Sequence, residues 1–520
     1  MFTNGILRIG FFSLLMTSAL VSKAATVEGW DEFQTNSVNY MNKPVVVRDA
    51  NGQVVRDSAF PASDIDSGEF AHTKYRLRKA PPAPTGRFYS LAFEGVGGMK
   101  TKLMQYFDAS EFASKHVTPL FSLQEIEKAN LENSELATQP WSGSYWPLYQ
   151  GGVAARYATH DFDHSWSTWK ESRQTFQKEG DLKDVLENHS SIAVDDLSPA
   201  EKYDLLIGDP RTDSERSGFL TSAIWLDNER YVNRDGEIES WMGLCHGWAP
   251  ASLVDARPSH SVEGAALTGE KVKFYPADLK ALSTLLWANG DFDHQFIGGR
   301  CGQKNPKTDP ASGRLLDPDC FDVNPAVWHL LVVNQLGVLK RGFVIDATYD
   351  YQVWNQPVFS YSYHYFNPQT GESVKTLEDA IVQKNEFTKD KFKNFRAADA
   401  VSYVGIEMSI QYTGETWSDH SETDSPEQDQ IRTATYLYDL EFNANGDIIG
   451  GEWYKNGHPD FVWAANNGAK AMSAVDGMIS TPSAWNPQTP LPKFWRDLAA
   501  KAASYGRQPV AKIVEALMSQ

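Results

Sequence analysis

The stretch Trp241-Met242-Gly243-Leu244-Cys245-His246-Gly247-Trp248-Ala249-Pro250 is the one from which the rest of the chain can be read. Gly243 permits a tight turn, and a helix following it would carry Cys245 at or near its first position. There the orphan N–H groups and the helix dipole favour an anion, so the expectation is a thiol of lowered pKa. Pro250 has no N–H for a helical bond, which predicts a short, kinked or irregular first turn. His246 is a poor choice of base for this thiol, because adjacent helical residues point to different faces.

Two later segments complete a constellation: Trp328-His329-Leu330-Leu331-Val332-Val333-Asn334 and Phe343-Val344-Ile345-Asp346-Ala347-Thr348. Both are rich in strand-forming residues and flank a turn near Gly337, so they read as a hairpin. A turn centred between Gly337 and Val338 sets His329 directly opposite Asp346. Opposed residues share a face with Cβ atoms roughly 5 Å apart, within reach of an imidazole–carboxylate hydrogen bond. A Cys–His–Asp system needs that geometry: the acid orients the ring and the ring takes the thiol proton.

The order Cys, His on a strand, then Asp-Ala-Thr on the next resembles the transglutaminase superfamily, and within it the transglutaminase elicitor family of oomycete wall glycoproteins. Val353-Trp354-Asn355-Gln356-Pro357-Val358 is similar to the start of that family's surface peptide, which plants perceive. Pro140-Trp141-Ser142-Gly143-Ser144-Tyr145-Trp146-Pro147 and Gly450-Gly451-Glu452-Trp453 are similar to family segments as well. The resemblance covers roughly residues 135–470 and departs after Val358, so plant perception is not carried over.

The resemblance implies an α+β fold with a transglutaminase/papain-like core, its nucleophilic cysteine at a helix N-terminus packed on an antiparallel sheet. It implies Cys245 as nucleophile, His329 as base and Asp346 as orienting acid. Trp241, Trp248 and Trp328 are expected as oxyanion helpers or walls that keep water from the thioester, with Trp354 as a further wall. The implied reaction joins protein glutamine to lysine or another primary amine, with no covalent cofactor. Divalent cations, calcium or manganese, are implied by the resemblance, with Asp291 and Asp293 or the acids of 415–429 as oxygen donors; the residues define no metal site, and a solvated acidic face explains either cluster. Two rivals share the residues: a secreted papain-like cysteine protease, and a wall-associated recognition protein with an inactive site.

Composition excludes other classes. The 520 residues carry 48 basic and 67 acidic side chains, a formal charge of −19, which repels phosphate backbones and makes nucleic acid an unsuitable partner. Ile9 to Val21 followed by Ser22-Lys23-Ala24-Ala25 reads as a signal peptide over residues 1–24, implying export, and no later apolar run is long enough for a membrane span. Residues 25–134 read as an accessory or pro-region, 135–480 as the catalytic domain and 481–520 as a helical tail. Within the accessory region Asn51-Gly52 signals a hairpin and Ala80-Pro81-Pro82-Ala83-Pro84 a linker.

Of three cysteines, Cys301 and Cys320 lie 19 apart in a loop-like stretch and are expected to pair, leaving Cys245 free. Ser198-Pro199-Ala200-Glu201 starts a helix, Tyr275 to Ala288 forms another, and Thr433 to Phe442 pairs with Ile448 to Tyr454. His160-Asp161-Phe162-Asp163-His164 resembles a zinc-protease motif but has Asp for Glu and no third ligand. Gly264 to Lys271 only superficially evokes a phosphate loop, since Glu270 stands where Lys belongs.

Overall fold

Seven strands form the main path of an eleven-stranded sheet: β1 (Val47–Asp49), β2 (His294–Gly298), β3 (Phe343–Asp346), β4 (Asn355–Phe366), β5 (Ser402–Gly414), β6 (Gln430–Phe442) and β7 (Phe461–Ala465). Their spatial order is β1-β6-β5-β4-β3-β7-β2, and each neighbouring pair is antiparallel. This is a computed structural model describing residues 25–55, 107, 109–158, 168–187, 192–212, 219–301, 303, 306–317, 320–321, 323–347, 352–479 and 485–520. The expected signal peptide, the proline linker and the His160–His164 motif lie outside the described residues. So does Thr348 of the Asp-Ala-Thr segment.

Four helices position the site and the core beside it: α1 (Pro199–Ile207), α2 (Cys245–Val254), α3 (Pro276–Asn289) and α4 (Pro325–Val332). Ser198 and Glu201 close the capping box expected at the start of α1. Arg156 pairs with the fully buried Glu201 at 2.6 Å, and Lys202 with Asp278 of α3 at 2.6 Å, so α1 is tied to its neighbours by satisfied buried charges. The helices around α1 enclose their own core, including Tyr203, Leu206, Leu282 and Leu517. The mixture is α+β, as expected.

Period-2 alternation explains how the sheet is covered. In β3, Phe343 and Ile345 join the large core under α4, whereas Val344 joins Trp248 and Trp463 in a separate core under α2. One face therefore carries α4 and the other α2. Asp346 follows Val344 in the alternation and lies on the α2 face. The disulfide joins Cys301 to Cys320, and Cys245 is the free cysteine. Among the described residues no helix is long and apolar enough to cross a membrane.

The expected hairpin is corrected here. Residues 325–332 are helical and continue as a π-helical stretch over Val333–Val338 before β3 begins. Asn324 caps the helix by accepting from the Ala326 N–H at 2.9 Å, and Pro325 occupies its first position. All eight residues of α4 are buried, so the segment is apolar on every side and hides its helical period. The N-terminal region also joins the main body: β1 pairs with β6, with Val47 opposite Ala434.

Candidate functional site

Cys245 is the first residue of α2. The turn before it is set by Tyr145, whose carbonyl accepts the Leu244 N–H at 2.5 Å. A Cβ at position 243 would stand 2.4 Å from that same oxygen, so glycine is required there. Gly247 serves similarly against α3: a Cβ would meet the Thr284 carbonyl at 2.2 Å. At the far end Asp255 accepts from Ser283 Oγ at 2.6 Å and Trp287 Nε1 at 2.8 Å, both on α3. Pro250 lies inside α2 without ending it.

The thiol is enclosed. Cys245 is 4% exposed and clusters with Tyr145 and Trp354, with Trp241 and Ala347 against them. Its Sγ lies 3.6 Å from the Val353 carbonyl and 3.5 Å from Asn355 Nδ2, which donates to it. Asn355 Oδ1 accepts from Trp463 Nε1 at 2.9 Å, so the amide's orientation is held. Asn355 is the register partner of Asp346, which brings that carboxylate to the thiol's face. Asp346 Oδ1 accepts the Trp354 N–H at 2.9 Å. Trp241 bonds to Glu239 and lies under the Arg300 guanidinium, 5.6 Å from its ring centre.

Electrostatics reverses the expected thiolate. Burial pushes the Cys245 thiol up to about 11; the Asn355 hydrogen bond works against this, and the nearby charges of Glu415 and Asp346 add to it. Desolvation and carboxylates outweigh the helix terminus, and the thiol is neutral at pH 7. Alkylation of Cys245 by iodoacetamide should therefore be slow at neutral pH and rise about tenfold per pH unit toward pH 11. A rate that levels off below pH 8 would show that something else stabilises the thiolate.

His329 is not brought to Cys245. It sits on α4, on the opposite face of the sheet, fully buried against the Tyr363 ring, with Nδ1 2.9 Å from the Tyr438 hydroxyl. Its Nε2 has no partner among the described residues. Burial lowers its pKa to about 3. The helix replaces the hairpin that would have faced His329 toward Asp346, so the orienting role expected of Asp346 toward that imidazole is lost. His246 bonds to the Ala288 backbone of α3 and faces away as well. Trp328 packs on Phe343, Tyr436 and Trp453 in the α4 core and cannot wall the thiol. Trp248 is buried one turn beyond Cys245, donating to the Trp141 carbonyl at 3.2 Å. Of the expected walls, Trp241 and Trp354 remain.

A depressed histidine pKa has a testable sign. The unfolded chain binds a proton at His329 near pH 6.5 and the folded chain does not until about pH 3, so its contribution is full above pH 6.5 and is lost as pH falls toward 3. His329→Gln should flatten part of the acid decline in Tm while leaving the alkylation profile of Cys245 unchanged. A folded His329→Gln protein with an altered Cys245 profile would restore the imidazole to the site.

Sequence reading missed Asn355 and Glu415. Asn355 was visible only as part of the surface-peptide segment, and Glu415 only as the first acid of an apparently solvated loop. That loop is in fact pinned: Asp429 is bound by Arg257, Gln139 and the Ser142 N–H, and Asp424 by Arg257 and Lys280. These pairings occupy two of the acids proposed as cation ligands. Among the described residues no three His, Cys, Asp or Glu side chains converge as a metal site. Among the described residues, Asp424 and Asp429 are therefore committed to cationic side chains of the chain itself.

The transglutaminase elicitor family model matches residues 118–480. Among solved structures, the GP42 transglutaminase from Phytophthora sojae aligns at 21% identity with a TM-score of 0.46, covering 79% of this chain and 99% of that one. No curated protein matches the chain.

Proposed function

The chain belongs to the transglutaminase elicitor family, and from that premise we propose that it is a secreted protein-glutamine gamma-glutamyltransferase with Cys245 as its nucleophile. The observation that carries this reading is the seating of the thiol. A free cysteine opens a helix on one face of an antiparallel sheet, is hydrogen-bonded to Asn355, and shares that face with Asp346. That seating supports reading α2 as a nucleophile helix packed on the sheet.

The Cys245 sulfur attacks the γ-carboxamide of a protein glutamine, and the thiol proton leaves with the amide nitrogen as ammonia. With His329 on the other face, Asp346 is the group assigned to hold that proton in passing. Backbone N–H groups at the start of α2 would stabilise the oxyanion. A lysine amine then displaces the sulfur to give the isopeptide. Trp241, Trp354 and Tyr145 exclude water from the thioester, which favours transfer over hydrolysis. Export is supported by the family and by the disulfide, which persists in oxidising compartments. Each of these steps is carried by the chain's own groups, and a calcium or manganese requirement is to be tested by chelation.

One observation favours a second reading. A thiol held near 11 without an imidazole fits a recognition protein whose site has lost activity. The deciding experiment incubates purified protein with a glutamine-containing protein and a labelled primary amine. Amine incorporation with ammonia release is expected. Peptide-bond cleavage without incorporation would select the protease, and neither event would select the inactive protein.

A further inference from the structure

With His329 on the other face of the sheet, the charge that Cys245 must carry in reaction falls to other groups. The neutral thiol is satisfied on both sides: its S–H donates to the Val353 carbonyl at 3.6 Å, and Sγ accepts from Asn355 Nδ2 at 3.5 Å. Once the proton leaves, the carbonyl can only repel the anion, whereas the amide N–H becomes a charge-assisted donor. The Asn355 backbone N–H reaches the sulfur as well, and both hydrogen bonds favour the thiolate against burial and the acids.

The amide cannot turn over. Trp463 Nε1 can only donate, and it donates to Asn355 Oδ1 at 2.9 Å, so Nδ2 is the end left to face Cys245. Trp463 is itself fixed: it is fully buried, pairs with Val344 of β3, and shares the core under α2 with Trp248. Asn355 is buried too, at 3% exposure. A buried ring therefore holds a buried amide with its donor aimed at the reacting atom.

We propose that Asn355 is a catalytic residue whose amide N–H holds the negative charge of the Cys245 sulfur each time the reaction places it there. The inference rests on the transferase reading. In acylation the thiol proton passes to Asp346 and the sulfur bonds to the carboxamide carbon. The carbon–nitrogen bond then breaks, and the proton leaves on that nitrogen as ammonia. In transfer a neutral amine bonds to the acyl carbon and the carbon–sulfur bond breaks with its electron pair on sulfur. The proton shed by the amine restores the thiol. Sulfur thus carries charge before the first bond forms and after the last one breaks, and Asn355 donates to it at both moments. The titratable groups coupled to the thiol are Asp346 on β3, Glu415 after β5 and Tyr145 before α1, and ionisation of any of them opposes the thiolate. Glu239 and Arg300 meet the Trp241 side chain at the edge of the cluster.

Asn355→Leu keeps the bulk of the side chain and removes the donor. Alkylation of Cys245 by iodoacetamide at pH 8 should slow by about tenfold or more, and by the same factor with the smaller methyl methanethiosulfonate. Amine incorporation should lose kcat with little change in KM for the glutamine protein. A residue that only packed the site would give the opposite sign, because loosening exposes the thiol and speeds labelling. Unchanged or faster labelling, or a slowing confined to the larger reagent, would overturn the proposal. Should Asn355→Leu fail to fold, Trp463→Phe keeps an aromatic ring, frees the amide to turn, and should slow both reagents severalfold. Unchanged labelling there overturns the proposal equally. The two readings fail separately: an unmutated protein that incorporates no amine removes the transferase, whereas the labelling comparison tests Asn355 on the sulfur alone.

Discussion

Cys245→Ala should abolish amine incorporation, a loss on the order of a thousandfold or more, while the protein stays folded. The activity loss is large because the thioester cannot form without Sγ, and neither Asn355 nor Asp346 can replace a covalent intermediate. The fold should tolerate the change because Sγ makes only long hydrogen bonds, at 3.6 Å to Val353 and from Asn355 at 3.5 Å. Removing one buried sulfur costs about 1 kcal/mol, close to that of a buried methylene. Circular dichroism and Tm would establish the fold, and labelled-amine incorporation the activity. Incorporation at more than a few per cent of the starting rate would remove Cys245 as nucleophile.

Gly247→Val is expected to be the most damaging small substitution near the site. A Cβ there meets the Thr284 carbonyl at 2.2 Å and the Ala288 nitrogen at 2.7 Å. Both are backbone atoms of α3, so no side chain can rotate away, and α2 must move bodily. Overpacking typically costs roughly 1–3 kcal/mol, and this case belongs at about 3 kcal/mol or beyond. Because Asp255 also ties α2 to Ser283 and Trp287, the displacement would tilt the helix and carry Cys245 away from Asn355. The expected result is a lowered Tm together with faster iodoacetamide labelling of Cys245 at pH 8, as the thiol becomes exposed. An unchanged Tm would mean that α2 and α3 are not in such close contact.

The sequence alone determined the features carried by local chemistry. Ser198 and Glu201 announced a capping box, Thr433 to Phe442 a strand paired with the one from Ile448, and Phe343 to Ala347 a strand. Cys245 after Gly243 marked a helix start, and the spacing of Cys301 and Cys320 marked a bridge. Each depends on residues close in sequence, where side chains and backbone hydrogen bonds settle the conformation without outside help.

Tertiary structure decided what faces what. The apolar run from Val327 to Val333 fits a buried strand and a buried helix equally well, because burial on all sides erases periodicity. Packing against the sheet chose the helix, and with it put His329 on the face away from Cys245. The ionisation of Cys245 was likewise beyond local reading: the helix end favours a thiolate, but the enclosure by Tyr145 and Trp354 and the approach of Glu415 and Asp346 outweigh it. Residues far apart in sequence supply that enclosure, and a charge's energy depends on the solvent it loses as much as on the dipole it meets. Glu415 shows the same point: an acid in a polar loop looks solvated until Gln356 bonds its carboxylate and the Gly143 carbonyl takes the neighbouring Thr416 N–H.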